Sequence, residues 1–447
     1  MSESSHKKMK FPENMPEDVV EHILSTCLPI QNALRSRAVS KRFRHAQIRS
    51  RYLDFSKIYS KRRNQLAVVR IIEGIFEKHK GSEINQFVLI LNHIGIEDKI
   101  FRWIKTCVSK NIQELELDFS KSRKVIEIPI DLSAIETLTV LKLKWCQFEI
   151  SENSPKGLKL LRTLALMKTK VTKKTLDAIF NNCIHLETLE LINCRMYGVL
   201  RINAQNNMKF KLLVVYSMLN LLKIFLDAPT LECYKYDGYV RMIDFSRVNV
   251  LKEVKLHYNR SYDRHSYNPL AMVIANMGAF MGVHVLATTN IFLEALMNSN
   301  PDFCFWNLQE FQICFQSPTN CTLFDIAAFL KKYCPNLEKF SIDINDFTFE
   351  PHILWELYQK PMVQNGNYPL NTIKYVEIMG YKNGWHELDI VEFFVRNAKS
   401  LEKLKLIEPR NPEVTMFEPE YERITNIKSL SPKKDLIEFT KSGRAQA

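Results

Sequence analysis

Ten cysteines and eleven histidines are the residues of this chain best suited to thiol or metal chemistry. The cysteines lie at positions 27, 107, 146, 183, 194, 233, 304, 314, 321 and 334, and none of them forms a C-x-x-C pair. A zinc ribbon or a thioredoxin-type site needs such a pair, because two thiols must reach the same ion or each other. The histidines are scattered, and HELD, which begins at His386, lacks the second histidine of H-E-x-x-H. The pattern therefore predicts no metal site and no redox site.

Motifs for phosphate binding and for nucleophilic catalysis are also missing from the sequence. It contains no G-x-G-x-x-G, no G-x-x-x-x-G-K-S/T and no G-x-S-x-G. A catalytic site assembled from distant segments would leave no local motif, so an enzyme stays an alternative to a binding protein. The sequence favours a protein that uses no cofactor and carries out no catalysis.

The net charge of the chain is strongly positive, +13 over 447 residues. A chain of this length predicts several domains or a repeat array, and the charge favours acidic partners. Between residues 35 and 63, eleven Lys or Arg stand against one acid, Asp54. KRFR and KRR in this run, with Phe43, Tyr52 and Tyr59 interleaved, could contact nucleic-acid phosphates. A solvated basic linker or a nuclear-import signal is favoured instead, because no stacking or groove-reading motif accompanies the charge.

Two stretches bear on the compartment of the protein. The first residues, MSESSHKKMKFPEN, lack the apolar centre of a signal peptide, which predicts an intracellular location, nucleus and/or cytoplasm, with free thiols.

Residues 270–289 carry no Asp, Glu, Lys or Arg and are long enough to span a bilayer. Because Asn276, His284, two glycines and two threonines interrupt this apolar run, we expect a buried helix that ends near Gly282, then a strand, and no membrane partner.

Leucines recur through the chain in a repeated pattern. LTVLKLKWC (138–146) and LETLELINC (186–194) both fit L-x-x-L-x-L-x-x-C. Related segments are IQELEL (112–117), LRTLAL (161–166), LKEVKL (251–256), VHVLAT (283–288), LQEFQI (308–313), LEKFSI (337–342), IKYVEI (373–378) and LEKLKL (401–406), and LLKIFLDAPTLECYKY (221–236) holds one or two degenerate copies. Most copies lie about 20 to 36 residues apart, within or slightly beyond the leucine-rich-repeat range.

Each copy alternates apolar and polar residues, which is typical of a short strand with its leucines on one face. Helical spacing follows in TKKTLDAIFNNC (172–183), FDIAAFLKKYC (324–334) and LDIVEFFVRNA (388–398). Strand, turn and helix together predict an α/β fold, an irregular leucine-rich-repeat solenoid in which neighbouring repeats bury each other's apolar faces. Cys146 and Cys194, at the end of the pattern, are expected to point into this core and to bond the backbone of their turn.

Other segments complete the predicted organisation. AVVRIIEGIFEKHK (67–80) and EDKIFRWIKTCVSK (97–110) have the spacing of amphipathic helices. From N- to C-terminus, the predicted segments are a disordered N-terminus (1–14), a small helical module (15–50), a helical connector and the start of the repeat array (51–110), irregular repeats (111–365), further repeats (366–410) and a charged tail (411–447).

The module at 15–50 opens with MPEDVVEHILSTCLP. Pro16 suits the first turn of a helix, and Glu17 and Asp18 complement the positive end of the helix dipole. The apolar stripe that follows is too wide for so short an isolated helix. Because three short helices in about 30 residues cannot bury that surface alone, part of it must face a partner or, as in a capping subdomain, the repeats.

The segment MPEDVVEHILSTCLPIQNALRSRAVSKRFRH resembles an F-box, whose pattern runs Leu-Pro, acids, Ile-Leu, Leu-Pro, a spacer, Leu, and then Val-Ser-Lys-Arg-Trp. The residues that match in order are Pro16, Glu17, Asp18, Ile23, Leu24, Leu28, Pro29, Leu34, Val39, Ser40, Lys41 and Arg42. Met15 stands for the usual Leu and Phe43 for the usual Trp. The whole layout is similar to plant F-box proteins with irregular leucine-rich repeats and a C-terminal FBD region. IKYVEIMGYKNGWHELDIVEFFVRNAKSLEKLKL (373–406), within the repeats at 366–410, resembles that region.

The resemblance implies that 15–50 is a three-helix F-box, which docks on a Skp-type adaptor and through it on a cullin. The chain would then be a substrate receptor of a ubiquitin ligase. The adaptor contact would be made or shaped by apolar residues, namely Pro16, Ile23, Leu24, Leu28, Pro29, Leu34 and Val39. The concave strand face of the repeats, or the loops at its ends, would hold a target protein that the sequence does not identify. The alternatives are a scaffold that uses the repeats without a ligase and a receptor that senses a small molecule.

Overall fold

The computed structural model describes residues 16–23, 30, 49–61, 64–127, 132–149, 157–259, 269–349, 353–430, 433 and 435–441. The chain divides into two units, Met1–Glu190 and Leu191–Ala447. Short parallel strands build both units, and most helices lie in the connections between strands.

In the first unit, one parallel sheet carries most of the strands. The strands are β1 (Tyr52–Asp54), β2 (Gln86–Ile90), β3 (Glu114–Asp118), β4 (Ile126–Glu127), β5 (Val140–Lys144), β6 (Cys146–Gln147) and β7 (Thr163–Met167). β1, β2, β3, β5 and β7 pair in that order, and β4 pairs with β6. The helices are Glu17–His22, Ser56–Lys61, Gln65–Lys78, Glu97–Val108 and Lys173–Asn182, with a 3-10 turn at Leu132–Ala134. β8 (Thr188–Ile192) contains the division between the units.

The second unit repeats this plan with connections of more variable length. Its strands are β9 (Gly198–Asn203), β10 (Leu212–Tyr216), β11 (Leu221–Asp227), β12 (Cys233–Tyr239), β13 (Met242–Arg247), β14 (Glu253–Asn259), β15 (Val285–Thr289), β16 (Glu310–Cys314), β17 (Lys339–Asp343), β18 (Tyr375–Met379), β19 (Lys403–Ile407) and β20 (Ile437–Thr440). β10, β12 and then β14 to β20 pair in order as parallel neighbours, while β9, β11 and β13 form a separate sheet. The helical segments are Pro269–Met277, Gly278–Phe280, Asn290–Ser299, Leu323–Tyr333, Trp355–Gln359, Lys360–Asn365, Trp385–Asn397 and Tyr421–Ser429.

The repeated apolar positions stack in register from strand to strand. Leu115, Leu141 and Leu164 are paired partners on β3, β5 and β7, and each is almost completely buried. Phe311 and Phe340 occupy the same position on β16 and β17. Side chains alternate between the two faces of a strand, so every second residue of a strand contributes to the apolar core of its unit.

The spacing between paired positions varies widely along the second unit. It is 20 residues from Tyr234 to Val254 and 36 residues from Phe340 to Val376. Both distances preserve the parallel register, because the additional residues enter the connection and not the strand. The irregular spacing predicted from the sequence is therefore confirmed.

The connecting helices begin and bury their faces as their sequences predict. Thr172 and Thr322 each cap a helix with a side-chain oxygen that accepts a backbone N–H of the first turn. In the helix Lys173–Asn182 the buried apolar residues are Leu176, Ile179 and Phe180. The caps explain where the helices predicted near 172–183 and 324–334 begin, and buried apolar residues stabilise these two helices and the one predicted near 388–398.

The strand predictions hold throughout the repeats. Every segment with the leucine pattern contains strand residues, and 221–236 contains all of β11 and part of β12. Cys146 and Cys194 are buried, and their Sγ atoms donate to the carbonyl oxygens of Lys144 and Ile192 at 3.5 and 3.7 Å. The expected packing role of these two cysteines is confirmed, and no two cysteines that the structure describes form a disulfide bond with each other.

The apolar stretch 270–289 forms a helix, a 3-10 turn and β15, in agreement with the predicted helix followed by a strand. Val273 and Phe280 are completely buried, and Asn276 is nearly so, its side-chain oxygen accepting the backbone N–H of Ile243 at 3.3 Å. Among the residues that the structure describes, no helix has the length and hydropathy that a membrane crossing requires.

Several elements lie where the sequence pattern did not predict them. β1 and β2 fall inside the connector at 51–110, where Leu53 pairs with Phe87 and both are buried. The charged tail predicted at 411–447 contains a helix and β20, which pairs with β19. The sequence of β20 lacks a clear alternating apolar pattern, because none of its residues is fully buried. Of the three-helix module at 15–50, only the helix Glu17–His22 and a few further residues are described. The rest lies outside the described residues, so that module and the division into domains stay predictions.

Gly380 offers a test of how tightly two neighbouring repeats pack. Its φ is +84°, and a Cβ there would lie 2.5 Å from the backbone nitrogen of Asn345. Gly198 has a φ of +85° with open space around it. We expect Gly198→Ala to cost about 1 kcal/mol through left-handed strain, and Gly380→Ala about 3 kcal/mol through strain and overpacking. Urea unfolding of both variants measures the difference, and equal losses would contradict the packing described here.

Candidate functional site

Two of the seven residues expected at the adaptor contact are described. Pro16 is exposed, immediately before the helix Glu17–His22, and Ile23 is half-buried after it. Val19, inside that helix, is 41% exposed. The other five, Leu24, Leu28, Pro29, Leu34 and Val39, lie outside the described residues. The described part of the segment presents apolar side chains to solvent, and the adaptor contact stays a prediction.

Charged side chains cross the half-exposed face of β16 to β19 as a ladder. Lys339 Nζ lies 3.0 Å from Glu310 Oε1 and 3.6 Å from Glu377 Oε2, and Lys405 Nζ lies 3.7 Å from Glu377 Oε1. Solvent reaches all of these groups, so each pair contributes little to stability. The acidic and basic side chains of the ladder pair with each other, so this face is a polar surface that carries both signs of charge.

His257, on the half-exposed face of β14, is an ion-pair residue. Its Nδ1 lies 3.0 Å from Asp237 Oδ2, and the side-chain amide of Gln316 lies 3.0 Å from its Nε2. The hydrogen bond to Asp237, supported by Cys314, raises the pKa of His257 to about 10. A protonated imidazole cannot act as a general base at neutral pH, so this histidine is structural.

A cavity of about 260 Å³ lies where the loops that follow β16, β17 and β18 meet. Residues 317–322, 347–349 and 385–386 line it together with Trp355. The carboxyl ends of parallel strands lie at one edge of a sheet, which brings these distant loops together. Among the lining residues that the structure describes there is no Asp, Glu, Lys or Arg; they supply aromatic rings, hydroxyl groups, an amide, an imidazole, a thiol and a proline.

His386 lines this cavity from the first turn of its helix and is almost completely buried. The centroid of its ring lies 4.4 Å from those of Phe349 and Trp355. Its Nε2 accepts the backbone N–H of Leu323 at 3.0 Å, which assigns the proton to Nδ1. Burial, with a smaller effect of the Lys360 charge, lowers the pKa of His386 to about 3. Nδ1 is therefore a neutral buried donor, and no atom of the described protein accepts its proton.

Asp389, one turn further along the same helix, is a buried carboxylate with three partners. Trp355 Nε1 donates to Oδ2 at 3.2 Å, Lys360 Nζ lies 3.4 Å from Oδ1, and the Arg423 guanidinium donates to Oδ1. Burial raises the pKa of Asp389, and the two cations oppose that effect. Removing one partner of a buried ion pair is strongly destabilising, so this carboxylate holds three separate chain segments together.

A buried lysine holds the loops on either side of the cavity. Lys382 Nζ donates to the carbonyl oxygen of Ile344 at 2.7 Å and to that of Phe347. Its backbone N–H donates to Glu387 at 2.7 Å, and the Gly384 N–H donates to the same oxygen at 3.1 Å. Burial lowers the pKa of Lys382 and raises that of Glu387. The loops after β17 and β18 are thus bonded to each other through side chains.

Beside the cavity, the segment 353–362 exposes an apolar face. Its large apolar side chains are between 54% and 74% exposed, and they are Ile353, Leu354, Leu357, Tyr358 and Met362. Their spacing of mostly four residues places them on one side of the helical segment. Trp355, on the other side, is only 1% exposed and belongs to the cavity wall. We name these five residues the apolar face.

The cavity residues suit binding better than catalysis. At neutral pH the lowered pKa of His386 leaves it too weak a base to activate the hydroxyl of Ser317 or a threonine. Within the part of the chain that the structure describes, no group of three His, Cys, Asp or Glu residues could hold a metal ion. What the site offers is a preformed pocket beside an exposed apolar helix.

Comparison with known proteins finds relatives along nearly the whole chain. The family model described as At1g61320/AtMIF1, LRR domain, matches residues 75–433. The FBD-associated F-box protein At1g61320 of Arabidopsis thaliana is 56% identical over 442 residues, which is 96% of this chain and 96% of that protein. This chain belongs to that family of plant F-box proteins with leucine-rich repeats. The F-box protein At3g62230 of Arabidopsis thaliana is more distant, at 23% identity over 415 residues, 86% of this chain and 88% of that protein.

Membership in the F-box/leucine-rich-repeat family confirms the resemblance drawn from the opening segment, the repeats and the FBD-like region. A second Arabidopsis thaliana protein with an FBD-associated F-box name, At1g61330, is 54% identical over 443 residues, 96% of this chain and 98% of that protein. The FBD-like region at 366–410 of this F-box protein contains three of the site residues. His386 is part of the cavity wall, and the buried Glu387 and Asp389 support that wall.

Sequence reasoning on this F-box protein missed the cavity. It considered the HELD sequence only as an incomplete metal motif, whereas the structure buries His386, Glu387 and Asp389. A signal was available, because three ionisable residues lie within four positions in the first turns of a helix whose next residues include the apolar run Ile390–Val391. Their partners Leu323, Lys360 and Arg423 come from distant segments, and no local spacing identifies them.

The buried neutral His386 predicts an acid-sensitive stability. Its folded-state pKa of about 3 lies below the ordinary 6.5, so the stability present above pH 6.5 is progressively lost as the pH falls toward 3. We expect wild type to lose about 1.4 kcal/mol more free energy of unfolding than His386→Gln between pH 7.5 and pH 5.5.

Urea unfolding of both proteins at the two pH values measures this difference. The glutamine oxygen can still accept the Leu323 N–H, and it does not titrate. Burial raises the pKa of Asp325, Glu387 and Asp389, which acts in the opposite direction, but these carboxyl groups are present in both proteins and cancel. Equal losses in the two proteins would show that His386 is not held neutral by burial.

Proposed function

We propose that this protein is a non-catalytic substrate receptor of a Skp-cullin-F-box ubiquitin ligase. One observation carries the proposal: an F-box-like order of residues from Pro16 to Arg42 precedes a leucine-rich-repeat array. The relatives that share nearly the whole chain are named F-box proteins. The exposed Pro16 and Val19 support a docking role for the opening segment.

In the proposed mechanism the protein positions a target and catalyses no reaction itself. The F-box segment binds a Skp-type adaptor, which is held by a cullin, and the repeats bind a target protein. Tethering raises the effective concentration of the target near the ubiquitin carrier, and no further contact is needed for this gain. The buried side-chain bonds of Lys382 and Asp389 keep the loops after β17 and β18 in place before a target arrives.

Within the repeats, the apolar face is the target-binding surface that we propose. A cluster of exposed large apolar side chains is typical of a protein interaction site. Tyr358, one of its members, belongs to a residue type enriched at binding hot spots. The only charged groups within the segment, Glu356 and Lys360, pair with each other at 3.4 Å. The occupant is therefore an apolar segment of the target protein, not a charged one.

The first test concerns the adaptor. We expect Leu28→Asp to abolish capture of the Skp-type adaptor, because a carboxylate would have to enter an apolar contact without a counter-charge. Leu66→Asp is the matched control, since Leu66 is 63% exposed and lies outside the F-box segment. Pull-down of both variants against the purified adaptor measures the effect. Adaptor binding by Leu28→Asp at the wild-type level would contradict the docking model.

The second test concerns the target. We expect Leu357→Asp combined with Tyr358→Asp to lower the capture of stabilised partners at least tenfold in proteasome-inhibited cells, while adaptor binding stays at the wild-type level. Leu222→Asp is the control, since Leu222 is 60% exposed on β11. Unchanged partner capture would mean that the target binds a surface other than the apolar face. Loss of self-association in the double variant would assign the apolar face to a second copy of the chain.

The same measurement separates the receptor from a scaffold. A receptor accumulates ubiquitinated partners when the proteasome is inhibited, because the ligase continues to modify them. A scaffold that only binds through its repeats captures the same partners with and without inhibition, and none of them carries ubiquitin.

A further inference from the structure

We propose that Cys314 is a nucleophilic thiol that adds to small α,β-unsaturated carbonyl compounds, with the imidazolium group of His257 beside it. This covalent modification site goes beyond the receptor function and stands whether or not the chain joins a ligase. It rests on the position of the two side chains on the half-exposed strand face, and on the different partners of the other half-exposed thiols.

Strand register brings His257 and Cys314 to the same end of that face. His257 lies on β14, and Cys314 is the last residue of β16. Cys314 pairs with Thr289 on β15, and the pairing of Leu256 with Thr288 one position earlier places Thr289 in the same row as His257. Thr289 is completely buried and has a short side chain, so the longer imidazole can extend over it toward Cys314.

The imidazole ring of His257 has three side-chain partners. Its Nδ1 lies 3.0 Å from Asp237 Oδ2, the amide of Gln316 lies 3.0 Å from its Nε2, and the Cys314 side chain hydrogen-bonds the ring. Asp237, followed by Cys314, raises the pKa of His257 to about 10, so the ring is positively charged at neutral pH. A cation next to a cysteine favours the thiolate, which is the nucleophilic form.

The other half-exposed thiols of the described chain, Cys233 and Cys304, have partners of the opposite kind. Cys233 pairs with Glu253 on the neighbouring strand, and burial together with the Glu253 charge raises the pKa of Cys233 to about 11. Cys304 Sγ donates to the carbonyl oxygen of Lys332 at 3.2 Å. A carboxylate or a carbonyl oxygen favours a protonated thiol, whereas an imidazolium favours a thiolate. Of these three cysteines, the partner of Cys314 is the one that promotes nucleophilic attack.

Two carboxylates near Cys314 oppose this effect, and each has a cation of its own. Asp343 pairs with Cys314 across β16 and β17, but Arg410 lies 2.9 Å from its Oδ2, and the backbone N–H of Asn345 donates to its Oδ1 at 3.0 Å. Asp237 lies on β12, one strand further from Cys314 than the imidazolium to which it is paired. The imidazolium therefore stands between that carboxylate and the sulfur.

The reaction is an addition that needs no oxidant and releases no leaving group. The sulfur of Cys314 attacks the β-carbon of the unsaturated carbonyl compound, which forms the S–C bond and moves the π electrons of the C=C bond toward the carbonyl oxygen. The enolate then takes a proton at its α-carbon from the His257 imidazolium or from water. Overall, the thiol hydrogen and sulfur add across the C=C bond. His257 contributes its positive charge and a proton, and does not act as a base.

The experiment treats the folded full chain with methyl vinyl ketone at neutral pH. Peptide mass spectrometry measures the rate of adduct formation at each cysteine. We expect Cys314 to react at least about tenfold faster than Cys233 and Cys304, because an adjacent opposite charge changes the acidity of a group by about one unit or more. In urea-unfolded protein the three rates should become similar, since the strand register that places His257 beside Cys314 is then lost.

The variant His257→Gln tests the imidazolium directly. Glutamine keeps a polar side chain beside Asp237 but carries no charge, so the rate at Cys314 should fall about tenfold while Cys233 is unchanged. His257→Lys restores a positive charge and should recover most of the rate. His284→Gln is the matched control, because His284 is an exposed histidine immediately before β15. Circular dichroism establishes that each variant is folded, and unfolding would make the cysteine rates converge.

Either of two results would overturn the inference. One is adduct formation at Cys314 that is no faster than at Cys233 and Cys304 in the folded wild-type chain, a comparison that needs no variant. The other is a folded His257→Gln protein in which Cys314 reacts at the wild-type rate. Adaptor capture is measured separately, so failure of the thiol chemistry and failure of the receptor function are distinguishable.

Discussion

The stacking of each strand on its neighbour is the interaction on which this structure depends. A strand such as β5 carries only two fully buried leucines, Leu141 and Leu143, and they are shielded because β3 and β7 lie on either side. No repeat can bury its apolar face alone. Because β16, β17 and β18 pair in parallel and in register, the loops that follow them gather at one edge of the sheet in the second unit, where the cavity lies.

Local sequence patterns predicted the strands and helices whose formation depends on residues close together in the chain. Alternating leucines such as Leu115 and Leu117 indicate a strand with one buried face, and the threonine caps at Thr172 and Thr322 indicate where helices begin. β20 was not predictable, because its stability comes from pairing with β19 and not from a buried pattern of its own. The cavity was not predictable either, since its wall and its supporting residues come from separate connections of the chain.

Buried charge sets the second unit apart from an ordinary apolar repeat. Lys382, Glu387 and Asp389 each lose water on folding, and each is compensated by named partners: backbone groups for Lys382 and Glu387, and Arg423, Lys360 and Trp355 for Asp389. Half-satisfied polar groups would be costly in such a place. The network therefore admits few alternative loop arrangements, which is the condition for a preformed recognition site. The Nδ1 atom of His386 and the hydroxyl of Tyr381 have no hydrogen-bond partner among the described atoms.

The unequal length of the connections has a consequence for how such a protein can diversify. The 36 residues from Phe340 to Val376 include the apolar face, yet the strands that flank them keep the same register as repeats 20 residues long. Insertions and deletions in one connection therefore need no compensating change in the next repeat. A lineage can therefore change the length and sequence of one connection at a time while the strands of the scaffold stay as they are.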